Sequence, residues 1–124
     1  MREEYKISES ELEVMKVVWK KGKATSSEIV KELEPKTSWK PKTIQTLITR
    51  LVGKGILEAN KSDSKAYTYI AKVSEEEYKD FANESFIKKL YNGSVNLMIS
   101  TFIKEKRMSK DDIEELKQIL DKEI

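Results

Sequence analysis

The chain has 124 residues, 24 Lys plus Arg against 22 Asp plus Glu, and a formal net charge of +2. It contains no Cys and no His, which excludes disulfides, leaves a zinc site without its usual ligands and denies a Ser-His-Asp or Cys-His apparatus its proton carrier. No stretch nears the roughly 18–20 apolar residues that span a bilayer, so a cytoplasmic protein with no membrane insertion, no metal and no other cofactor is expected.

Helix starts are written in capping boxes, where a Ser or Thr and an acid three residues on satisfy each other's backbone N–H groups. Ser8 and Glu11 open the first helix, whose apolar residues Leu12, Met15, Val18 and Trp19 recur at helical spacing up to a stop at Gly22. Thr25 and Glu28 open a short second helix carrying Ile29, Val30 and Leu33, with Pro35 just beyond. The third begins near Pro41, since proline is well tolerated at the first helical position. Its apolar residues Ile44, Leu47, Ile48 and Leu51 follow the i, i+3, i+4, i+7 pattern, and Gly55 is its expected left-handed C-cap.

The period then changes. Ile56–Lys61 and Lys65–Val73 flank the polar tip Ser62-Asp63-Ser64, and Tyr67, Tyr69, Ala71 and Val73 alternate with a period of two, which predicts an antiparallel hairpin. Ser74 and Glu77 start a helix over 75–91, with Tyr78, Phe81, Ala82, Ser85 and Leu90 toward one side, and Asn92-Gly93 breaks it. A further helix carries Val95, Met98, Ile99, Phe102 and Ile103. Ser109 and Asp112 cap the last, with Ile113, Leu116, Ile119 and Leu120. The expected fold is mainly α with a small antiparallel β-hairpin: a winged helix-turn-helix over 1–73, then a three-helix dimerisation domain over 74–124.

Charge is divided unevenly between these halves. Residues 1–72 hold 15 basic and 10 acidic side chains, and residues 73–124 hold 9 basic and 12 acidic. No acid occurs between Lys36 and Leu57. The outer face of the third helix therefore presents Lys42, Thr43, Gln45, Thr46, Thr49 and Arg50 without a carboxylate. A helix shaped only for solubility mixes Glu with Lys for i,i+4 support. Hydroxyls and helix N-terminal amides hold phosphates, Gln reads adenine, Arg reads guanine, and a Thr methyl packs on thymine. These residues are the expected contacts to double-stranded DNA, with Lys61 and Lys65 of the hairpin reaching the adjacent backbone or minor groove. A protein–protein docking module on the same fold is the alternative, which would lack a steep salt dependence of duplex binding. Trp19 and Trp39 are expected to pack in the core. Acid runs such as Glu75-Glu76-Glu77 and Asp111-Asp112 stand at helix starts, where the macrodipole accounts for them, so no enzyme is expected.

A domain of about 50 residues in three helices is marginal alone. Its apolar side chains exceed what one layer can cover, and pairing with a second copy is the economical solution. Leu90, Val95, Met98, Phe102, Ile113, Leu116 and Leu120 are the expected dimerisation residues.

The run Trp39-Lys40-Pro41-Lys42-Thr43-Ile44-Gln45-Thr46-Leu47-Ile48-Thr49-Arg50-Leu51, followed by Lys54-Gly55, closely resembles the recognition helix of the penicillinase and methicillin-resistance repressors, the BlaI/MecI family. Ile7-Ser8 to Trp19 and Ser109 to Leu120 resemble it too. The resemblance implies a homodimeric winged-helix repressor on a pseudo-palindromic operator, with Lys42, Thr43, Thr46 and Arg50 on DNA. It also implies inactivation through a membrane metalloprotease sensor, by cleavage at an Asn-Phe bond in the second C-terminal helix. The corresponding bond here is Thr101-Phe102. Position 45 is Gln where the family often has Arg, and position 40 is Lys where a Ser commonly caps the helix. A copper-responsive sister branch uses C-terminal cysteines, which this chain lacks.

Overall fold

The computed structural model describes residues 5–61 and 66–124. Helix α1 spans Glu9–Lys21, strand β1 Lys23–Thr25 and helix α2 Ser26–Leu33, followed by a single 3-10 turn at Glu34–Lys36. Helix α3 spans Pro41–Gly53, strands β2 and β3 are Leu57–Lys61 and Tyr67–Ala71, and helices α4, α5 and α6 are Glu75–Tyr91, Val95–Lys104 and Lys110–Glu123.

The local signals act as written. Ser8 and Glu11, Thr25 and Glu28, and Ser109 and Asp112 each form the reciprocal capping box. Ser74 and Glu77 exchange the same two bonds at 3.0 and 3.1 Å. Gly22 ends α1 at φ 84°, donating its N–H to the Val18 carbonyl at 2.8 Å. Beyond the C-cap Lys54, Gly55 takes φ 77°. Its N–H reaches the Val52 carbonyl, while that of Ile56 reaches Leu51, both at 3.0 Å. This pair of bonds is a Schellman closure, and Leu51 and Ile56, whose backbones it joins, are both buried.

The expected two-stranded hairpin is one strand short. β1 adds antiparallel to β3, giving a three-stranded sheet ordered β1-β3-β2, with Ala24 opposite Tyr69 and Leu57 opposite Ala71. Three residues are too few to show a period, and Thr25 serves both as the last strand residue and as the cap of α2.

The chain divides into two compact units, Met1–Phe81 and Ala82–Ile124, with the division inside α4. The first has a closed core of Val14, Met15 and Val18 of α1, Ile29 and Leu33 of α2, the apolar stripe of α3, and Ile56, Leu57 and Tyr69 of the wing region. The buried face of α1 is broader than its periodicity suggested: Val14 and Val17 are inside, while Leu12 is half-buried. Both tryptophans pack against this core. Trp19 also donates its indole N–H to the Val73 carbonyl at 2.9 Å and lies 5.9 Å from the Tyr78 ring.

The second unit has no buried residue; its rings meet at the partly open trio Phe86, Tyr91 and Phe102, with centroids 5.7 and 6.1 Å apart. No helix among the described residues is long and apolar enough to cross a membrane.

Candidate nucleic-acid interface

Helix α3 sorts its residues by face. Ile44, Leu47, Ile48 and Leu51 are at most 5% exposed, whereas Lys42, Thr43, Gln45, Thr46, Thr49 and Arg50 are all exposed. The apolar stripe fixes the roll of the helix, so the polar stripe has only one place to go. The 13 residues make a rod of roughly 20 Å at about 1.5 Å per residue.

The start of α3 differs from its neighbours. In α1, α2, α5 and α6 a Ser or Thr side chain accepts an N–H of the first turn. Here Pro41 occupies the first turn and the N-cap Lys40 makes no side-chain hydrogen bond. The first-turn amides, at the positive end of the helix dipole, are left for an external acceptor, and a phosphate oxygen matches them chemically.

Two bonds preset the face. Thr46 donates its hydroxyl to the Lys42 carbonyl at 3.0 Å, and the Gln45 amide nitrogen donates to the Thr49 hydroxyl oxygen at 3.4 Å. Gln45 keeps its carbonyl oxygen and a second N–H beyond that bond, the acceptor and donor needed for an adenine edge. Gln45 also borders two open grooves. One, of about 540 Å³, lies between α2 and the start of α3; the other, of about 480 Å³, lies between α2 and Tyr67 of the wing. Ser26 and Ser27 line both.

On β2, Lys61 is exposed, with its ammonium 5.7 Å from the centroid of the Tyr67 ring. Lys65 and the hairpin tip fall outside the described residues.

The far end of α3 is tied to α1. Lys54 donates from Nζ to Glu11 Oε1 at 2.6 Å and to the Lys6 carbonyl at 3.0 Å, and the same Glu11 oxygen accepts the Ser8 N–H at 2.9 Å. Glu11 is 2% exposed. Burial pushes its carboxyl pKa up, but the Lys54 hydrogen bond and charge and the Ser8 bonds outweigh that and hold it below its ordinary value.

In the second unit, Leu90, Val95 and Leu120 are 49–59% exposed, and Met98, Phe102, Ile113 and Leu116 are half-buried. Thr101 and Phe102 are both half-buried within α5. The Thr101 hydroxyl donates to the Leu97 carbonyl at 2.7 Å, and the Phe102 ring stands edge-on to Tyr91.

Three features escaped sequence reasoning. The hydroxyl pair Ser26-Ser27 follows the Thr25 cap directly and lines both grooves beside Gln45. Tyr67 shares the alternation of Tyr69 yet is 49% exposed and lines the groove beside Gln45. The Glu11–Lys54 pair joins residues 43 apart, and no local pattern announces it.

The penicillinase repressor family matches residues 7–122. The chain is 40% identical over 115 residues to the penicillinase repressor of Bacillus licheniformis, covering 93% of this chain and 89% of that one. The chain belongs to the penicillinase repressor family. It is also 41% identical over 118 residues to the methicillin resistance regulatory protein MecI of Staphylococcus aureus strain N315, covering 95% of each. The solution structure of monomeric Bacillus licheniformis BlaI in complex with the blaP half-operator is 42% identical, with a TM-score of 0.53 over 59% of this chain and 88% of that one. Because the curated relatives match almost end to end, membership of the penicillinase repressor family extends over both compact units.

Proposed function

We propose that this penicillinase repressor family member binds double-stranded operator DNA through α3 and represses transcription by occupying its site. The single observation that carries the reading is the acid-free exposed face of α3, set opposite four fully packed apolar residues. α3 lies in the major groove. Its first-turn amides, Lys42 and Thr43 hold phosphates, while Gln45, Thr46, Thr49 and Arg50 meet base edges. The contacts proposed for Lys61 and Lys65 are with the adjacent backbone or minor groove. The duplex bound by BlaI is a relative's partner of the same chemistry.

The reading includes a homodimer in the cytoplasm, joined through Leu90, Val95, Met98, Phe102, Ile113, Leu116 and Leu120. Two copies of α3 held ~34–36 Å apart read a pseudo-palindrome on one side of the duplex. Induction follows cleavage at Thr101-Phe102 through a membrane metalloprotease sensor pathway. Cutting there detaches Phe102, Ile113, Leu116 and Leu120 from the rest, which dissolves the pairing and releases DNA. Since the bond lies inside α5, the helix must open locally before a protease can act.

The test is selection of duplexes from random-sequence DNA by the full-length protein, then anisotropy titration at several salt concentrations. An enriched palindromic site bound with a log–log salt slope of about −0.9 per phosphate contact is expected. No enriched sequence and a flat slope would overturn the reading.

A further inference from the structure

At the exit of α3 the partly exposed Lys54 folds its ammonium back onto its own chain. Its ammonium has two acceptors of its own chain, Glu11 Oε1 at 2.6 Å and the Lys6 carbonyl at 3.0 Å. Its side chain is 38% exposed and that of Glu11 only 3%. Drawing Lys54 out to a phosphate would leave a buried carboxylate without its counter-charge, a costly state in a low-dielectric interior. The same Glu11 oxygen holds the Ser8 N–H, so one carboxylate ties the start of α1 to the exit of α3.

That exit bears directly on recognition. The Lys54 N–H donates to the Arg50 carbonyl at 3.0 Å, one turn back along the exposed face. Gly55 and Ile56 then close the helix on Val52 and Leu51. The backbone of Lys54 is thus joined to the last turn of α3, the turn that carries Arg50.

We infer that Glu11 and Lys54 are positioning residues for DNA recognition: they fix the exit of α3, and with it the presentation of Arg50, while Lys54 itself makes no contact with DNA. This rests on the operator-binding reading above.

The opposing role, Lys54 as a phosphate ligand restrained by Glu11, gives effects of opposite sign. The experiment uses the full-length protein and a duplex that the wild type enriches from random-sequence DNA, followed by anisotropy across a salt series. Glu11→Gln is expected to weaken binding about tenfold, the size of a coupling between neighbouring groups, although it makes the protein more positive. Lys54→Met is expected to lose as much with the salt slope unchanged, and Lys54→Arg to recover most of it. Tighter or unchanged binding by Glu11→Gln, or a slope lowered by about one in Lys54→Met, overturns the inference. Circular dichroism at the assay temperature confirms that the variants are folded. If either is not, Glu11→Asp, which keeps the charge but shortens the reach, replaces it with the same expected loss, and wild-type affinity in it overturns the inference. A wild type that enriches no duplex fails the operator-binding reading instead, so the two failures are distinguishable.

Discussion

Ile29, Ile44, Ile48 and Leu51 of the first unit are enclosed at 0% exposure, whereas Leu90, Val95, Ile119 and Leu120 of the second stand 49–59% open. Both regions are written with the same kind of amphipathic helix. The difference lies in how many elements converge. In the first unit α1, α2, α3 and a three-stranded sheet close around one core, so each apolar stripe finds a facing layer. The second unit offers α5, α6 and the later part of α4, which meet only at partly open side chains. An amphipathic pattern thus states that a face will be covered, without saying whether the cover comes from the same chain.

Truncation inside the closed core has the largest expected effect. Ile48→Ala should cost about 2–5 kcal/mol of unfolding free energy, since it removes a fully buried side chain and leaves a cavity. Urea denaturation followed by tryptophan fluorescence measures it, because Trp19 and Trp39 both belong to the first unit. A loss under about 1 kcal/mol would mean that the core is looser than its burial implies. In the open unit a charge should act differently. Leu120→Glu is expected to weaken self-association by about 2–3 kcal/mol, near the range of central interface residues, with the tryptophan signal unchanged. Sedimentation equilibrium reads the first effect. A wild type that stays monomeric across the micromolar range would break the contrast, because the exposed stripes would then have no partner to cover them.

The same contrast marks what could be read from the residues. Helix starts were legible because capping is local: Ser8–Glu11, Thr25–Glu28 and Ser109–Asp112 act within one turn, and each forms as written. The two faces of α3 were legible because a strict 3.6-residue stripe admits one orientation. β1 was not, since Lys23-Ala24-Thr25 gains strand geometry only by pairing with β3, whose residues come more than forty positions later. The burial of Val14 and Val17 was missed because α1 is covered on more than one side, which a single-stripe reading cannot represent. The local pattern around Glu11 shows a cap and no more. Its bond to Lys54 depends on the closed fold, as do the grooves beside Gln45 that Ser26 and Ser27 line.

A smaller, more selective effect is expected on the exposed face of the closed unit. Arg50→Ala should cost about 1–3 kcal/mol of operator binding if the guanidinium reads a base. Its effect on unfolding should stay within about 0.5 kcal/mol, because the side chain is exposed. Together with Ile48→Ala, two residues earlier, it divides α3 into a face that holds the fold and a face that holds the ligand. Equal stability losses at both positions would erase that division.

The smallest expected effect is an acid dependence placed in the first unit by Glu11. Burial alone would raise its pKa, but Lys54 and the Ser8 bonds more than compensate, so the folded state holds the carboxyl below its unfolded value. A group with a depressed folded pKa binds protons more readily in the unfolded chain. Its stabilisation is therefore complete above the unfolded value, about 4.3 for a Glu, and is lost as the pH falls through the folded value. Urea midpoints taken from neutral pH down through that window, read by tryptophan fluorescence, should fall more steeply for the wild type than for Glu11→Gln. The two curves should converge at the acid end, where the wild-type carboxyl is protonated and resembles the amide. Parallel curves would mean that the Glu11 charge is stabilised equally in both states, and that packing alone fixes the exit of α3.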